Sequence, residues 1–107
     1  MKIVYICESH ILFNDGSKIT YDHEQDCCEL NYADFQQLDS LARNYDYNFP
    51  LRFVPVPNCG FLFGDEKRLF FVPCYSEQNG YYTTEVDIYF NGEIVLKVEA
   101  EETIIDD

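Results

Sequence analysis

The first part of the chain has the hydrophobic pattern of consecutive β-strands. Apolar residues fill the run from Ile3 to Ile6, and a second apolar run covers residues 11–13. The segment Asn14-Asp15-Gly16-Ser17 that follows is a strong turn signal. From Lys18 to His23 apolar and polar positions alternate, as in a strand with one buried face. The pattern predicts a β-meander over residues 2–23.

A helical spacing of apolar residues follows. Four apolar side chains form one stripe of a predicted helix: Phe35, Leu38, Leu41 and Ala42. Asn31 is a suitable N-cap because its side chain can accept a hydrogen bond from the first turn. Asp34 would lie near the positive end of the helix dipole. We therefore predict one short helix over residues 31–43.

The second half of the chain is typical of further strands. Residues 51–56 are extended but contain Pro55, which cannot donate to a ladder, so this strand is expected at a sheet edge. Cys59–Phe63 and Arg68–Cys74 are predicted to be aromatic strands joined by a short polar hairpin loop. The polar residues 76–80 are expected to interrupt the strand pattern.

The last hairpin has two possible registers. Asn91-Gly92 favours a two-residue turn, but an unbroken ladder from that turn leaves Ile94 and Leu96 on the wrong face. A three-residue loop, with Gly92 in the left-handed conformation of a bulge, pairs Ile88 with Ile94 and restores one apolar face. Because burial should decide over turn preference, we predict the three-residue loop.

Together these elements predict a single α+β domain over residues 1–107. The expected fold is a mainly antiparallel, twisted sheet of about six to seven strands, with the short helix packed on one face. Residues 99–107 carry five acids and are expected to form a frayed acidic tail.

Charge narrows the class of partner. Twenty acids against seven bases give a net charge of −13. Such a surface repels phosphate groups, so we expect no direct binding to nucleic acid or to an anionic membrane. The simplest interpretation of the charge is solubility. The alternative is a protein that imitates the charge of DNA in order to occupy a basic partner.

The location is predicted from the absence of sorting signals in the sequence. The apolar run Ile3–Cys7 is too short for an export signal, and no run approaches the length of a membrane span. Five cysteines are an odd number, which favours reduced thiols in a cytoplasm over a disulfide framework.

Residues 23–29, His-Glu-Gln-Asp-Cys-Cys-Glu, have the most unusual local composition. His23, Cys27 and Cys28 are ligand types for zinc, but adjacent cysteines point apart on a strand and lack the usual zinc spacing. A Cys–His nucleophile pair is a second interpretation, although the neighbouring carboxylates disfavour a thiolate. The structural interpretation is buried cysteines with acids that cap backbone amides. We predict no metal and no cofactor.

Two motifs together resemble a known family. Residues 23–29, followed by Asn79-Gly80-Tyr81-Tyr82, are similar to the H-x-x-D-C-C-E and N-G-Y-Y segments of small uncharacterised bacteriophage and bacterial proteins, a domain of unknown function. The resemblance spans residues 11–90, while the aromatic run 61–72 departs from it. It implies a phage or prophage setting and no particular chemistry.

We expect the two motifs to meet in space and to line a shallow polar pocket. The candidate ligand or partner site consists of nine residues: His23, Asp26, Cys27, Cys28, Glu29, Asn79, Gly80, Tyr81 and Tyr82. The favoured function is a non-enzymatic, phage-associated accessory protein that acts by binding another protein. The alternative is a metal- or thiol-dependent enzyme centred on His23, Cys27 and Cys28.

Overall fold

The computed structural model describes residues 1–22, 30–78 and 84–104, and β-strands dominate these ranges. The described residues form ten strands, a 3₁₀ turn at Phe35–Gln37 and one short helix, α1, at Ser40–Asn44. The strands are β1 (Ile3–Ile6), β2 (His10–Phe13), β3 (Lys18–Asp22), β4 (Leu30–Ala33), β5 (Arg52–Val56), β6 (Gly60–Gly64), β7 (Leu69–Gln78), β8 (Glu85–Phe90), β9 (Glu93–Glu99) and β10 (Glu101–Ile104).

The strands form two sheets. The first has the order β1–β2–β3–β8–β9, and all its neighbours are antiparallel. The second has the order β10–β7–β6–β5, with β4 also paired to β7. Only the β10–β7 pair of the described strands is parallel. The predicted mainly antiparallel architecture is confirmed, but the strands are more numerous than predicted and are divided between two sheets.

Several predicted strands are confirmed. The meander of residues 2–23 is present as β1, β2 and β3 over the described residues 3–22. The Pro55-containing strand is β5, at an edge of the second sheet. The aromatic hairpin is β6 and β7. Burial does not follow the apolar pattern in β1, which lies at the edge of the first sheet and leaves Val4 and Tyr5 59% and 55% exposed.

Strand β7 joins the parts of the second sheet. Its first half, Leu69–Pro73, pairs with β6. Over Tyr75–Glu77 it pairs with β4 and with β10 at once, so these two strands must lie along its opposite edges. The expected frayed tail therefore contains an ordered segment, because Glu101–Ile104 pairs with the end of β7.

The prediction that polar residues interrupt the strand is wrong for Ser76, Glu77 and Gln78, which belong to β7. Ser76 and Gln78 are fully buried, and so is Asn31 on the neighbouring β4. The Gln78 amide nitrogen lies 2.6 Å from the Ser76 hydroxyl, and this hydroxyl donates to the Asn31 side-chain oxygen at 2.5 Å. Buried polar groups are tolerated when they are hydrogen-bonded to one another, and we call these three residues the polar ladder.

The predicted helix over residues 31–43 is wrong as a single element. Asn31, the expected cap, is a buried residue of β4. Pairing with β7 satisfies the backbone of residues 30–33, and this tertiary contact overrides the local helical spacing. The described chain therefore has short helical turns and not the α+β arrangement of one helix on a sheet face.

Two aspartates begin these short turns. The Asp34 carboxylate accepts a hydrogen bond from the Gln36 amide at 3.2 Å, and the Asp39 carboxylate accepts one from the Leu41 amide at 2.9 Å. Side-chain capping of this kind favours starting a new turn over continuing an old one. Three residues of the predicted stripe are buried, but Leu41 is 55% exposed.

The turn of the last hairpin differs from the prediction. Asn91 and Gly92 have φ values of 51° and 83°, the left-handed geometry of a two-residue hairpin turn. Phe90 pairs with Glu93 across this turn. The predicted three-residue loop is wrong, although the positive φ of Gly92 is confirmed.

A bulge then restores the apolar face. Beyond the turn, Ile88 pairs with Leu96 and Val86 pairs with Val98, which requires one extra residue in β9 at Val95. The bulge thus places Leu96 and Val98 on the apolar face, while Ile94, which lies between the turn and the bulge, remains 48% exposed.

The core is aromatic and is centred on Tyr47. Its ring lies 5.6 Å from the rings of Phe13 and Phe63 and 5.9 Å from that of Phe70, so it links the two sheets. The Tyr47 hydroxyl donates to the Ala42 carbonyl oxygen at 2.8 Å, which satisfies the one polar atom of a buried side chain. Burial raises the pKa of the Tyr47 phenol well above its ordinary value.

Buried Asp65 organises the loop between β6 and β7. Its carboxylate accepts hydrogen bonds from the backbone amides of Asn48 and Lys67 at 2.9 Å, from the Arg68 amide at 3.1 Å and from the Tyr45 hydroxyl at 2.9 Å. These donors, the Asn48 amide first, lower the Asp65 pKa to about 2.

We expect Asp65→Asn to lower the melting temperature by at least about 5 °C, because an amide cannot accept all of these hydrogen bonds. The folded pKa of about 2 lies below the ordinary 3.8, so the carboxylate's contribution is present above about pH 4 and lost as pH falls towards 2. The stability difference between the two proteins should therefore shrink over this window in pH-dependent urea unfolding. The exposed neighbour Glu66→Gln is the control, and a difference that does not change with pH would contradict the assignment.

We expect Gly64→Ala to be the more damaging of two glycine substitutions. A Cβ on Gly64 would lie 2.0 Å from the Arg68 carbonyl oxygen, so the hairpin must move, at a cost of roughly 3 kcal/mol or more. Gly16 has a φ of +91° and open space around it, so Gly16→Ala should cost only the backbone strain of about 1–2 kcal/mol. Urea unfolding measures both, and the reverse order of cost would argue against the close packing at Gly64.

Candidate functional site

The nine candidate residues of the two motifs lie outside the described residues, so their proximity remains a prediction. The strand ends next to them are described. Asp22, at the end of β3, pairs with Asp87 in β8. Leu30, at the start of β4, pairs with Glu77 near the end of β7. The chain therefore enters and leaves the two motif segments at ends of strands that are paired with one another.

An open groove of about 290 Å³ lies beside these strand ends. Its walls come from β3, β4, the turn after β4 and the turn between β1 and β2. The described residues that line it are Glu8, Tyr21, Leu30, Tyr32, Ala33, Asp34 and Gln36. We call this feature the tyrosine groove.

Two tyrosine rings are fixed against the walls of the tyrosine groove. The Tyr21 ring packs edge-on against Phe35 at 5.7 Å, and the Tyr32 ring lies 5.6 Å from that of Tyr75 on β7. Both are partly exposed. Their positions follow from strand pairing, because Tyr21 lies opposite Ile88 and Tyr32 lies opposite Tyr75.

The electrostatic environment of the tyrosine groove keeps both phenols protonated. Burial and then the Glu8 charge raise the Tyr21 pKa, while burial and then the Glu77 and Asp34 charges raise the Tyr32 pKa. Both hydroxyls are therefore neutral at physiological pH and can donate hydrogen bonds.

Two carboxylates give the tyrosine groove a negative field. Asp34 is held in place because its second carboxylate oxygen accepts a hydrogen bond from the side-chain amide nitrogen of Gln37 at 2.8 Å. Glu8 is exposed in the turn between β1 and β2. None of the described lining residues is lysine or arginine. A positively charged group in the groove would meet complementary charge from these two carboxylates.

The size of the tyrosine groove limits its ligand. Small-molecule sites usually enclose about 300–1,000 Å³ and bury most of the ligand. At about 290 Å³ and open to solvent, the groove suits one long side chain of a partner better than an enclosed metabolite.

The alternation over Lys18–His23 puts Tyr21 on the same strand face as Ile19, whereas Tyr32 falls within the predicted helix, so the sequence does not bring the two rings together. The two buried positions of β4 are Asn31 and Ala33, a polar and a small residue, so no apolar alternation marks this strand in the sequence. The strand also spans only four residues, which is too short to outweigh a helical stripe.

The described ranges contain neither a group of metal ligands nor a membrane-spanning helix. Residues 1–22, 30–78 and 84–104 contain no cluster of three or more histidine, cysteine, aspartate or glutamate residues arranged to hold a metal ion. None of the helices in those ranges is long and apolar enough to cross a membrane.

Comparison with known proteins gives no match to a family model, to a curated protein or to a solved structure. The resemblance to small phage proteins therefore remains a prediction.

The polar ladder lies directly behind the tyrosine groove, because Asn31 stands between the lining residues Leu30 and Tyr32. We expect Asn31→Leu to destabilise the protein by about 2–3 kcal/mol, since it removes a buried hydrogen-bond partner of Ser76. Leu30→Ala, at a position 43% exposed, should cost less than about 1 kcal/mol. Urea unfolding measures both, and equal costs would show that the ladder does not hold β4 in place.

Proposed function

We propose that this chain is a small non-enzymatic accessory protein that acts by binding another protein through the tyrosine groove. The partner would insert a lysine or arginine side chain between the Tyr21 and Tyr32 rings. The observation that carries the proposal is one open groove whose described lining residues include two tyrosines and two carboxylates but no lysine or arginine.

Two forces favour such a ligand. A cation near the face of an aromatic ring gains about 0.5–2 kcal/mol, and the gain increases as water is excluded. The Glu8 and Asp34 carboxylates add direct attraction. The net charge of −13 would steer a basic partner towards the surface and raise the association rate.

The narrower hypothesis of a DNA imitation needs acids arrayed along one face. The described acids lie on several elements, with Glu8 and Asp34 at the tyrosine groove and Glu85 on the first sheet. Part of this charge is already neutralised, since Lys97 lies 3.3 Å from Glu85 and 3.4 Å from Asp87. We therefore propose recognition of a basic segment and not an imitation of a whole duplex.

The setting that we propose is the cytoplasm of a bacterial host, in association with a phage or prophage. The support is the resemblance of residues 23–29 and 79–82 to small phage proteins and the odd number of cysteines.

A titration with a minimal ligand tests the proposal. N-acetyl-arginine amide, added to isotope-labelled protein, should bind with a millimolar dissociation constant and shift the amide signals of Tyr32, Ala33 and Asp34. N-acetyl-citrulline amide has a similar shape without the charge and should produce much smaller shifts. Equal shifts from both compounds, or shifts confined to other strands, would contradict the proposal.

Two charge-reversal variants distinguish the effect of charge in the tyrosine groove from the effect of the protein's net charge on binding. Glu8→Lys should weaken binding of N-acetyl-arginine amide about fivefold or more. Glu93→Lys, at an exposed position in the last hairpin, makes the same change in net charge and should alter binding by less than about twofold. Equal weakening by the two substitutions would mean that only net charge matters.

A further inference from the structure

The turn between β1 and β2 brings a thiol, a hydroxyl and an imidazole together. The Cys7 sulfur lies 3.3 Å from His10 Nδ1 and 3.3 Å from the Ser9 hydroxyl oxygen. The Ser9 hydroxyl is also 3.0 Å from His10 Nδ1. The turn is closed by a hydrogen bond from the Cys7 amide to the His10 carbonyl oxygen at 3.0 Å. This geometry is set by the backbone pairing of β1 with β2.

The surroundings of the Cys7 sulfur favour its thiolate. Hydrogen bonds from the Ser9 hydroxyl and the Ser9 backbone amide, with a smaller contribution from the His10 amide, lower the Cys7 pKa. Partial burial and the Glu8 charge oppose this effect without cancelling it. A protonated His10 would add a further donor at contact distance. The thiolate is the form of cysteine that reacts as a nucleophile.

The other described cysteines lack these features. Cys74 is fully buried in the core, and burial raises its pKa to about 12. Cys59 is exposed. Among the described residues no side chain forms a hydrogen bond to the Cys59 thiol, so Cys59 serves as a reference for an ordinary accessible thiol.

We propose that Cys7 is a site of reversible thiol modification. Its thiol, assisted by the neighbouring His10, undergoes exchange with a small-molecule disulfide. The Cys7 thiolate attacks one sulfur of a disulfide R–S–S–R. A Cys7–S–S–R bond forms, the original S–S bond breaks, and R–S⁻ leaves and takes a proton from the His10 imidazolium or from water. Cys7 is oxidised, and half of the disulfide is reduced to a thiol.

Among the described residues, few ionisable groups face Cys7. His10 and Glu8 lie on the same turn, and the Tyr5 ring packs 5.7 Å from the His10 ring. On the neighbouring strand β3, the residue opposite His10 is Thr20, which is uncharged. The reactivity of Cys7 should therefore depend on His10 and Ser9, with Glu8 as the opposing charge.

The test is the rate of mixed-disulfide formation at each cysteine with 2-hydroxyethyl disulfide, a neutral probe. The reaction is stopped at intervals with N-ethylmaleimide, and the protein is digested with trypsin and analysed by mass spectrometry without reduction. Cleavage after lysine and arginine places Cys7, Cys59 and Cys74 in separate peptides. At neutral pH we expect Cys7 to react about tenfold faster than Cys59.

Variants identify the cause of this difference. His10→Asn and Ser9→Ala should each slow Cys7 several-fold and leave the Cys59 rate unchanged, while continued protection of the buried Cys74 thiol shows that the fold is intact. In urea the Cys7 and Cys59 rates of the unaltered protein should converge. The proposal is overturned if folded Cys7 reacts no faster than Cys59, or if the excess rate persists in both variants or in urea.

Discussion

The second sheet depends on one strand whose second half is hydrogen-bonded along both edges. A backbone amide or carbonyl that is buried without a partner is costly, so a strand in this position must find partners along its whole length. Strand β7 is ten residues long, and no single neighbour matches it. Pairing with β6 covers its first half, while β4 and β10 cover the two edges of its second half. The locations of β4 and of the tyrosine groove follow from this requirement.

The strands whose burial alternates locally were predictable, and those recruited by distant pairing were not. The strands of the meander and of the aromatic hairpin pair with their neighbours in sequence, so their local patterns were enough to predict them. Residues 30–33 instead become β4 because Glu77 and its neighbours offer an unpaired edge, which no local pattern reveals. Similarly, the polar residues Ser76 and Gln78 are typical of a loop, yet the Ser76 hydroxyl donates to Asn31, which is 45 residues away in sequence.

The candidate site shows the same division. Sequence reasoning singled out unusual residue types in residues 23–29 and 79–82, which lie beyond the described ranges. The tyrosine groove consists of ordinary residue types and becomes notable only when β3 and β4 approach each other. The Cys7–His10 pair was overlooked for a related reason. A cysteine and a histidine three residues apart carry no signal until a turn brings their side chains to 3.3 Å.

The pairing of β3 with β8 has a kinetic consequence. It joins Ile19 to Phe90 and Tyr21 to Ile88, so the first sheet cannot close until segments about seventy residues apart have met. Folding dominated by such contacts is slow, on the scale of milliseconds to seconds for small β-proteins. Newly made chains would therefore pass through a period in which the edges of β3 and β8 are unpaired, before the first sheet is complete. A ligand that binds only the fully paired, native sheets would draw such chains towards the native state by mass action.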